Sequence, residues 1–479
     1  MTYKKINRKA EVAISGFSKK GNGTGKYIIQ DGSSREAEVP FTMPGDVVRV
    51  ELTSRKAGVS SGRLEEILKP AERRIAPVCK HFGICGGCRW QHIPHSDQLE
   101  IKQNLVKKYF NSILEGVALR PIVSCDPPWE YRNKMEFSFS SDAAQNKYLG
   151  LVMDSSRGKV FNLTECHLVT SWFAKTVETV RQWWVSTGLE AYHPYKNTGA
   201  LRTLIVREGQ RTGDRLVMLT VSGNPDFAVK KHQLESLVTV LREAISPENP
   251  SATLTIFLRI QQIAKGMATN FYEMLLFGPD HLRERLTIQA QKNQPHRTIE
   301  FTVSPSAFFQ PNTRQAEKLY TLALQMVDIN PDSIVYDLYC GTGTLGICAS
   351  SYAKQVIGIE LSPESSLDAR TNAKNNQIQN VTILTGSVND VINERRHKDP
   401  LTPPDIIMVD PPRVGLDPEV IRQLLEMSAP KLLYISCNPA TQAQNIAELV
   451  QGGYRLKAIQ PVDQFPQTVH VENIAILEK

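Results

Sequence analysis

Apolar positions along the chain follow three different rhythms. Up to about residue 67, short runs alternate apolar and polar residues: EVAISGFS, GKYIIQDG, AEVPFTMPGDVVRVEL and SGRLEEIL. Glycine-rich joints such as KKGNGTGK and the MPGD turn separate them. A period of two marks half-buried strands, and short strands at this density predict a small OB-type barrel. A cysteine-bearing stretch follows, then SDQLEIKQNLVKKYFNSIL, in which Ser96 is the expected N-cap. Leu99, Leu105, Phe110 and Leu114 fall near one helical face of this segment. From about 120 to 290 the pattern is mixed. KMEFSFS, LRTLIVREG and LVMLTVSG read as strands, WFAKTVETVRQWW as an amphipathic helix and SPENPSA as a surface loop.

From about residue 300, strands alternate with helices, the signature of a parallel α/β sheet. The strands are SIVYDLYC, QVIGIEL, VTILTG, DIIMVDPP and KLLYISCNP. Helical stretches such as ESSLDARTNAKNN and PEVIRQLLEMSA separate them, and RLKAIQPVDQF with HVENIAILEK predicts a terminal antiparallel pair. No internal repeat or low-complexity tract interrupts the 479 residues, a length that allows two to four domains.

Composition narrows the class. Hydrophobic residues make up 41% and charged residues 22%, the globular range. The polar, basic start MTYKKINRKA is no signal peptide, and no stretch approaches the ~18 apolar residues of a membrane span. A cytoplasmic protein with no membrane partner is expected. Eight cysteines in such a chain favour metal ligation or catalysis over a disulfide framework. The net charge of +7, concentrated partly in the first 75 residues, fits a polyanionic partner such as nucleic acid.

The chemistry gathers at the predicted strand ends. VYDLYCGTGTLG runs from a strand into a turn where Gly341 and Gly343 let backbone approach a ligand closely. Glu360 ends the next strand, about twenty residues on, where an acid accepts hydrogen bonds from ribose hydroxyls. The dinucleotide glycine pattern is missing, so S-adenosylmethionine, which carries no phosphate, fits better than a pyrophosphate ligand. Asp410 begins the loop DPPRVGL, and Cys437 in YISCNPAT sits at the end of the following strand. Glu472 lies near the C-terminus, two residues after His470. One thiol and one carboxylate suffice for a known difficulty. Carbon 5 of uracil becomes nucleophilic only after a thiolate adds at carbon 6, and a base must later remove the carbon 5 proton.

With these motifs the sequence closely resembles the RNA uracil-5-methyltransferase family, in particular its iron–sulfur 23S ribosomal RNA enzymes, over nearly the whole chain. The resemblance implies a multidomain protein. A TRAM-like RNA-binding barrel would span 1–67, a central α/β domain with the cluster cysteines 68–300, and a Rossmann-like class I methyltransferase domain 301–479. SPSAFFQPNT brings a donor-binding glutamine onto Gln310. DLYCGTGT, GIEL and DPPR bring further donor contacts onto Tyr339, Glu360 and Asp410. SCNPAT brings the nucleophile onto Cys437, and FPQTVHVE the base onto Glu472. Thr344 stands where some ribosomal members have Asn, and Ser387 occupies another variable position. CKHFGICGGC carries the family's cluster ligands onto Cys79, Cys85 and Cys88, with Cys166 as the fourth, which implies a [4Fe–4S] cluster. Zinc is the rival ion, with His81, His92 and His95 nearby. Cys125, Cys340 and Cys348 remain ordinary cysteines.

The implied activity is 5-methyluridine formation in 23S ribosomal RNA by a monomer, with transfer RNA as the alternative substrate. Cytosine-5 methylation fits less well, because DPPR carries no second cysteine. A non-catalytic iron–sulfur RNA-binding or assembly factor is the alternative of another class.

Overall fold

The computed structural model describes residues 4–154, 156, 158–263, 268–398 and 401–479. They form two compact units, neither of them continuous in sequence. Unit 1 comprises Met1–Lys102, Val152–Gly158 and Phe465–His470. Unit 2 comprises Gln103–Leu151, Lys159–Gln464 and Val471–Lys479.

In unit 1 five strands close into a barrel: Lys4–Phe17, Gly23–Ile28, Ser34–Val39, Val47–Lys56 and Val59–Lys69. Period-two patterning builds it directly. Val48, Val50 and Leu52 point inward to join Val12, Ile14, Tyr27, Ala37 and Val39 in the core. The run AEVPFTMPGDVVRVEL divides into two strands at the MPGD turn, as expected, and Asp46 folds the chain there. Its buried carboxylate accepts from the Met43 and Ala71 amides, both at 2.9 Å. Beyond the barrel, fully buried Trp90 donates its indole N–H to the Gly21 carbonyl at 2.8 Å. The returning segment Phe465–His470 joins the same unit, where the Gln467 carbonyl accepts from the amides of Arg89 and Trp90.

The helix His95–Phe110 differs from expectation in start and in face. Ser96 lies inside its first turn, and the Pro94 carbonyl accepts from the Asp97 and Gln98 amides instead. Its fully buried residues are Gln98, Lys102, Val106 and Phe110, whereas Leu99 and Leu105 are only half-buried. Two polar side chains can hold that stripe because carbonyls meet them. Gln98 donates to the Trp90 and Ile93 carbonyls, and Lys102 to that of Phe465.

Unit 2 contains two large sheets. One has six strands, in the order Asn270–Phe277, Leu254–Gln262, Arg215–Ser222, Leu201–Glu208, Lys134–Ser141 and Lys147–Gly150. The helices Ser171–Thr187 and Lys231–Ile245 share its core, through residues such as Val177, Trp184 and Leu241. The other sheet has eight strands, ordered Val381–Thr385, Gln355–Glu360, Ile334–Leu338, Ile406–Val409, Lys431–Ser436, Glu472–Glu478, Arg455–Val462 and Ala118–Leu119. All neighbours run parallel except Glu472–Glu478, which is antiparallel to both of its own. Its central strands are covered on both faces, which is why they read as unbroken apolar runs. Ile407 and Leu432 pack into one core cluster, and their chain neighbours Met408 and Leu433 into the other. No helix among the described residues is long and apolar enough to cross a membrane.

Leu433→Ala, in a central strand with no exposed surface, is expected to cost about 2–5 kcal/mol. A lowered urea midpoint by circular dichroism checks this.

Candidate active site

Strand register lines up the candidate residues of unit 2. Leu338 pairs with Ile359 on one side and with Val409 on the other. Tyr339, Glu360 and Asp410 therefore occupy the next row outward, at the carboxyl ends of three adjacent parallel strands. Ligands of open α/β sheets bind at this edge. One step further along the sheet, Ser436 pairs with Asn473. Cys437 and Glu472 thus stand opposite each other at the following position of that antiparallel ladder.

The turn after the first strand needs left-handed backbone. Tyr339, Gly341 and Gly343 have φ of 65°, 54° and 77°. A Cβ on Gly341 would meet nothing within 4 Å, which leaves an open cradle beside the backbone. The Gly341 amide donates to the Glu360 carboxylate at 3.0 Å, and the Ser362 amide donates to its other oxygen at 2.8 Å. These bonds hold the acid in place against the turn and leave lone pairs for two hydroxyls. Gly343 donates to the Cys340 carbonyl and precedes the short helix Thr344–Ala349.

Gln310, Tyr339, Gly341 and Asp410 line one cleft together with Phe309, Tyr320 and Asp337. The loop carrying Gln310 is pinned from several sides. Arg207, fully buried, donates to the carbonyls of Ser304, Pro305 and Ala307. The Asp368 carboxylate accepts from the Ser304 amide and hydroxyl, and Asn133 donates to the Gln310 carbonyl at 2.8 Å. Gln464 then donates its side-chain amide to the Gln310 side-chain oxygen at 3.1 Å, which fixes the orientation of that amide.

Asn438 fastens the proline loop beside the thiol by donating to the Arg413 carbonyl at 2.9 Å. A Cβ on Gly415 would lie 2.5 Å from the Asn445 amide oxygen, so this loop turns only with glycine there. Burial pushes the Cys437 thiol up to about 12; Glu472 and Asp410 add to the rise, and Arg413 opposes it. Burial likewise raises Asp410 to about 7 and carries Glu472 well above the carboxylate range, with Asp410 adding to the latter and Arg413 opposing it. Glu472 is 3% exposed, and its Oε2 has no hydrogen-bond partner. An orphaned buried carboxylate oxygen beside a strand-end thiol is what a proton acceptor for a bound substrate requires.

Sequence reasoning did not single out Asp337, Tyr320, Gln464 or Arg207. Asp337 is fully buried and accepts from the Gly346 amide at 2.8 Å. Burial raises it to about 7. An acid in the middle of the apolar run SIVYDLYC was the available signal for it.

The cysteine set divides differently. Cys79, Cys85 and Cys88 lie in one loop of unit 1 and are half-buried, and the Gly87 amide donates to the Cys85 sulfur at 3.3 Å. Burial raises Cys85 above its usual range. Cys166 belongs to unit 2, half-buried beside the six-stranded-sheet core. Among the described residues no three His, Cys, Asp or Glu side chains converge as a metal site.

A cleft at the carboxyl ends of parallel strands, with a thiol and a carboxylate on the neighbouring ladder of the same sheet, is the layout of an α/β enzyme. The profile of tRNA (uracil-5-)-methyltransferases matches residues 254–479. An uncharacterized RNA methyltransferase of Protochlamydia amoebophila is 54% identical, covering 92% of this chain and 99% of its own. Another, from Chlorobaculum tepidum, is 31% identical over 91% of this chain and 90% of its own. The chain belongs to the RNA uracil-5-methyltransferase family. In fold it is similar to a crystal structure of the Pyrococcus abyssi tRNA (uracil-54, C5)-methyltransferase in complex with S-adenosyl-L-homocysteine. The TM-score is 0.70 at 21% identity, over 98% of this chain and all of that one.

Asp337 provides a test of the electrostatics. Its raised value means that the folded chain holds this proton more tightly than the unfolded chain does. Its contribution to stability is complete below about pH 4 and is lost as pH climbs through about 7. The urea midpoint of the wild-type protein should therefore fall more between pH 5 and pH 8 than that of Asp337→Asn.

Proposed function

We propose that this protein methylates carbon 5 of a uridine in RNA, with S-adenosylmethionine as methyl donor and 23S ribosomal RNA as substrate. The observation that carries the reading is the ladder position shared by Cys437 and Glu472, one strand from the Asp410 row. Gln310, Tyr339, Gly341, Gly343, Glu360 and Asp410 hold the donor, with Glu360 suited to the ribose hydroxyls. The bound donor supplies an electrophilic methyl group.

The target base is extruded from its RNA fold, as chemistry on a base requires. Cys437 loses its proton to solvent and, as the thiolate, adds to carbon 6, which places a negative charge on the ring and makes carbon 5 nucleophilic. Once carbon 5 carries the methyl group, Glu472 takes the proton from the same carbon. The electron pair of that bond then expels the Cys437 sulfur and restores the ring double bond. Arg413 is the nearby cation that favours the thiolate, against the burial and the two acids that disfavour it.

In this reading the barrel within 1–67 serves RNA binding, 68–300 is a central domain, and 301–479 is the catalytic domain. The [4Fe–4S] cluster on Cys79, Cys85, Cys88 and Cys166 rests on ligand type and spacing. Iron and sulfide analysis of anaerobically purified protein, with Cys85→Ser as control, is expected to show cluster loss in the variant. Transfer RNA is the second reading. By its name the Pyrococcus protein acts on transfer RNA, yet the similarity in fold includes the front of this chain. The barrel by itself does not separate the two substrates.

Labelled donor with unmodified ribosomal or transfer RNA is expected to give 5-methyluridine in the 23S fraction. Label in transfer RNA alone would reassign the substrate. Cys437→Ala should abolish product. Glu472→Gln should slow release by about 10²–10⁴-fold and accumulate a covalent RNA–protein adduct on denaturing gels. Normal turnover of Glu472→Gln would overturn its assignment as base.

A further inference from the structure

Unit 1 contains a second cavity, about 710 Å³ in volume, within the ~300–1,000 Å³ typical of ligand sites. One wall is the outer surface of the barrel, including Thr53, Ser61 and Arg63. The other is the cysteine loop, which contributes Phe82, Gly83 and Arg89. Phe41 stands at its base with its ring centroid 5.0 Å from that of Phe82, edge to face at 73°. The Arg89 guanidinium lies over the Phe41 ring, 5.5 Å from the centroid.

These groups are held in position before any ligand arrives. Phe41 has φ of 63°, a left-handed conformation that a bulky residue adopts only when its surroundings enforce it. Arg74 enforces it by donating to the Phe41 carbonyl at 3.1 Å while paired with buried Asp46. Arg89 is anchored by Asp154 and by Asn22, itself only 7% exposed. Lys20 and Arg63 are exposed at the mouth. Gly83, at φ 87° with nothing within 4 Å of a would-be Cβ, leaves the loop wall open.

An aromatic pair and a stacked guanidinium inside, with exposed Lys20 and the Glu51-paired Arg63 at the rim, match one chemistry. Bases of an unpaired strand stack on aromatic and guanidinium planes, and their phosphates settle on nearby cations. We infer that this cavity is a nucleobase subsite that captures one unpaired nucleotide of the RNA substrate, its base against Phe82 and Phe41 and its phosphates at Lys20 and Arg63. The inference rests on the RNA reading above and adds a contact apart from the reacting uridine. It gives the cysteine loop a role of its own, as a wall that clamps RNA.

Binding of a labelled single-stranded RNA oligonucleotide to the full-length protein tests it. A 4-thiouridine-substituted version of the same RNA serves for photocross-linking and peptide mapping. Phe82→Ala is expected to weaken binding about tenfold and to abolish a cross-link in the 79–89 loop. Arg63→Ala, a surface change that leaves the barrel core intact, should weaken binding and flatten its salt dependence. Affinities within about twofold of wild type for both variants, with cross-links only elsewhere, would overturn the subsite. Methyl transfer measured in parallel separates the two readings. Methylation with RNA binding indifferent to Phe82 and Arg63 removes the subsite alone. Binding through Phe82 without methylation removes the catalytic reading alone.

Discussion

Desolvation of acids at the carboxyl ends of the parallel strands is the constraint on which the site depends. Asp337 and Glu472 are buried and Asp410 half-buried at that edge of the sheet, close enough that Asp410 bears on the other two. Charging all three together would be costly, so the crevice holds protons at pH values where free carboxylic acids have lost them. Cys437 inherits the same environment, and its thiol is held back by burial and by negative neighbours. A chain prepared only for stability would not gather such groups. What makes the arrangement tolerable is position: Asp337 meets the Gly346 amide, and Glu472 feels the charge of Arg413.

That constraint explains why the loops around the crevice are so firmly tied. Gln310 is oriented by Gln464 and Asn133, its loop by Arg207 and Asp368, and the proline loop by Asn438. Fixed dipoles of this kind do catalytic work because they need no reorganisation when charge moves. The reacting groups lie on or just beyond strands, while the residues that orient them come from distant parts of the chain.

The sequence was most legible where local pattern and chemistry coincide. Apart from Asp337, the central parallel strands are apolar runs that end in polar residues, so Glu360, Asp410 and Cys437 were readable as strand-end groups, while Tyr339 came from the resemblance. The barrel was legible through its alternation and through the MPGD turn that Asp46 holds. Less legible were positions where a polar side chain is buried because a distant carbonyl meets it. Gln98 and Lys102 occupy a helical face that hydrophobicity assigned to leucines, and their acceptors lie partly in Phe465–His470. Arg207 looked like one more charged strand residue, yet it is fully buried under three carbonyls of a loop nearly a hundred residues away. Such pairings have no local period and leave no trace in a pattern of apolar positions.

The division of the chain into interleaved units bears on how it is made. The first segment of unit 1, Met1–Lys102, is synthesised well before Phe465–His470, the segment that completes it. Its barrel strands can pair early, but Trp90, Gln98 and Lys102 must wait until their partners at Phe465 and Gln467 have been made. The Glu472 strand emerges immediately afterwards. Completion of unit 1 and insertion of the strand that carries Glu472 thus follow one another closely, so that a nascent chain cannot place Glu472 in its sheet before the residues that complete unit 1 have been made.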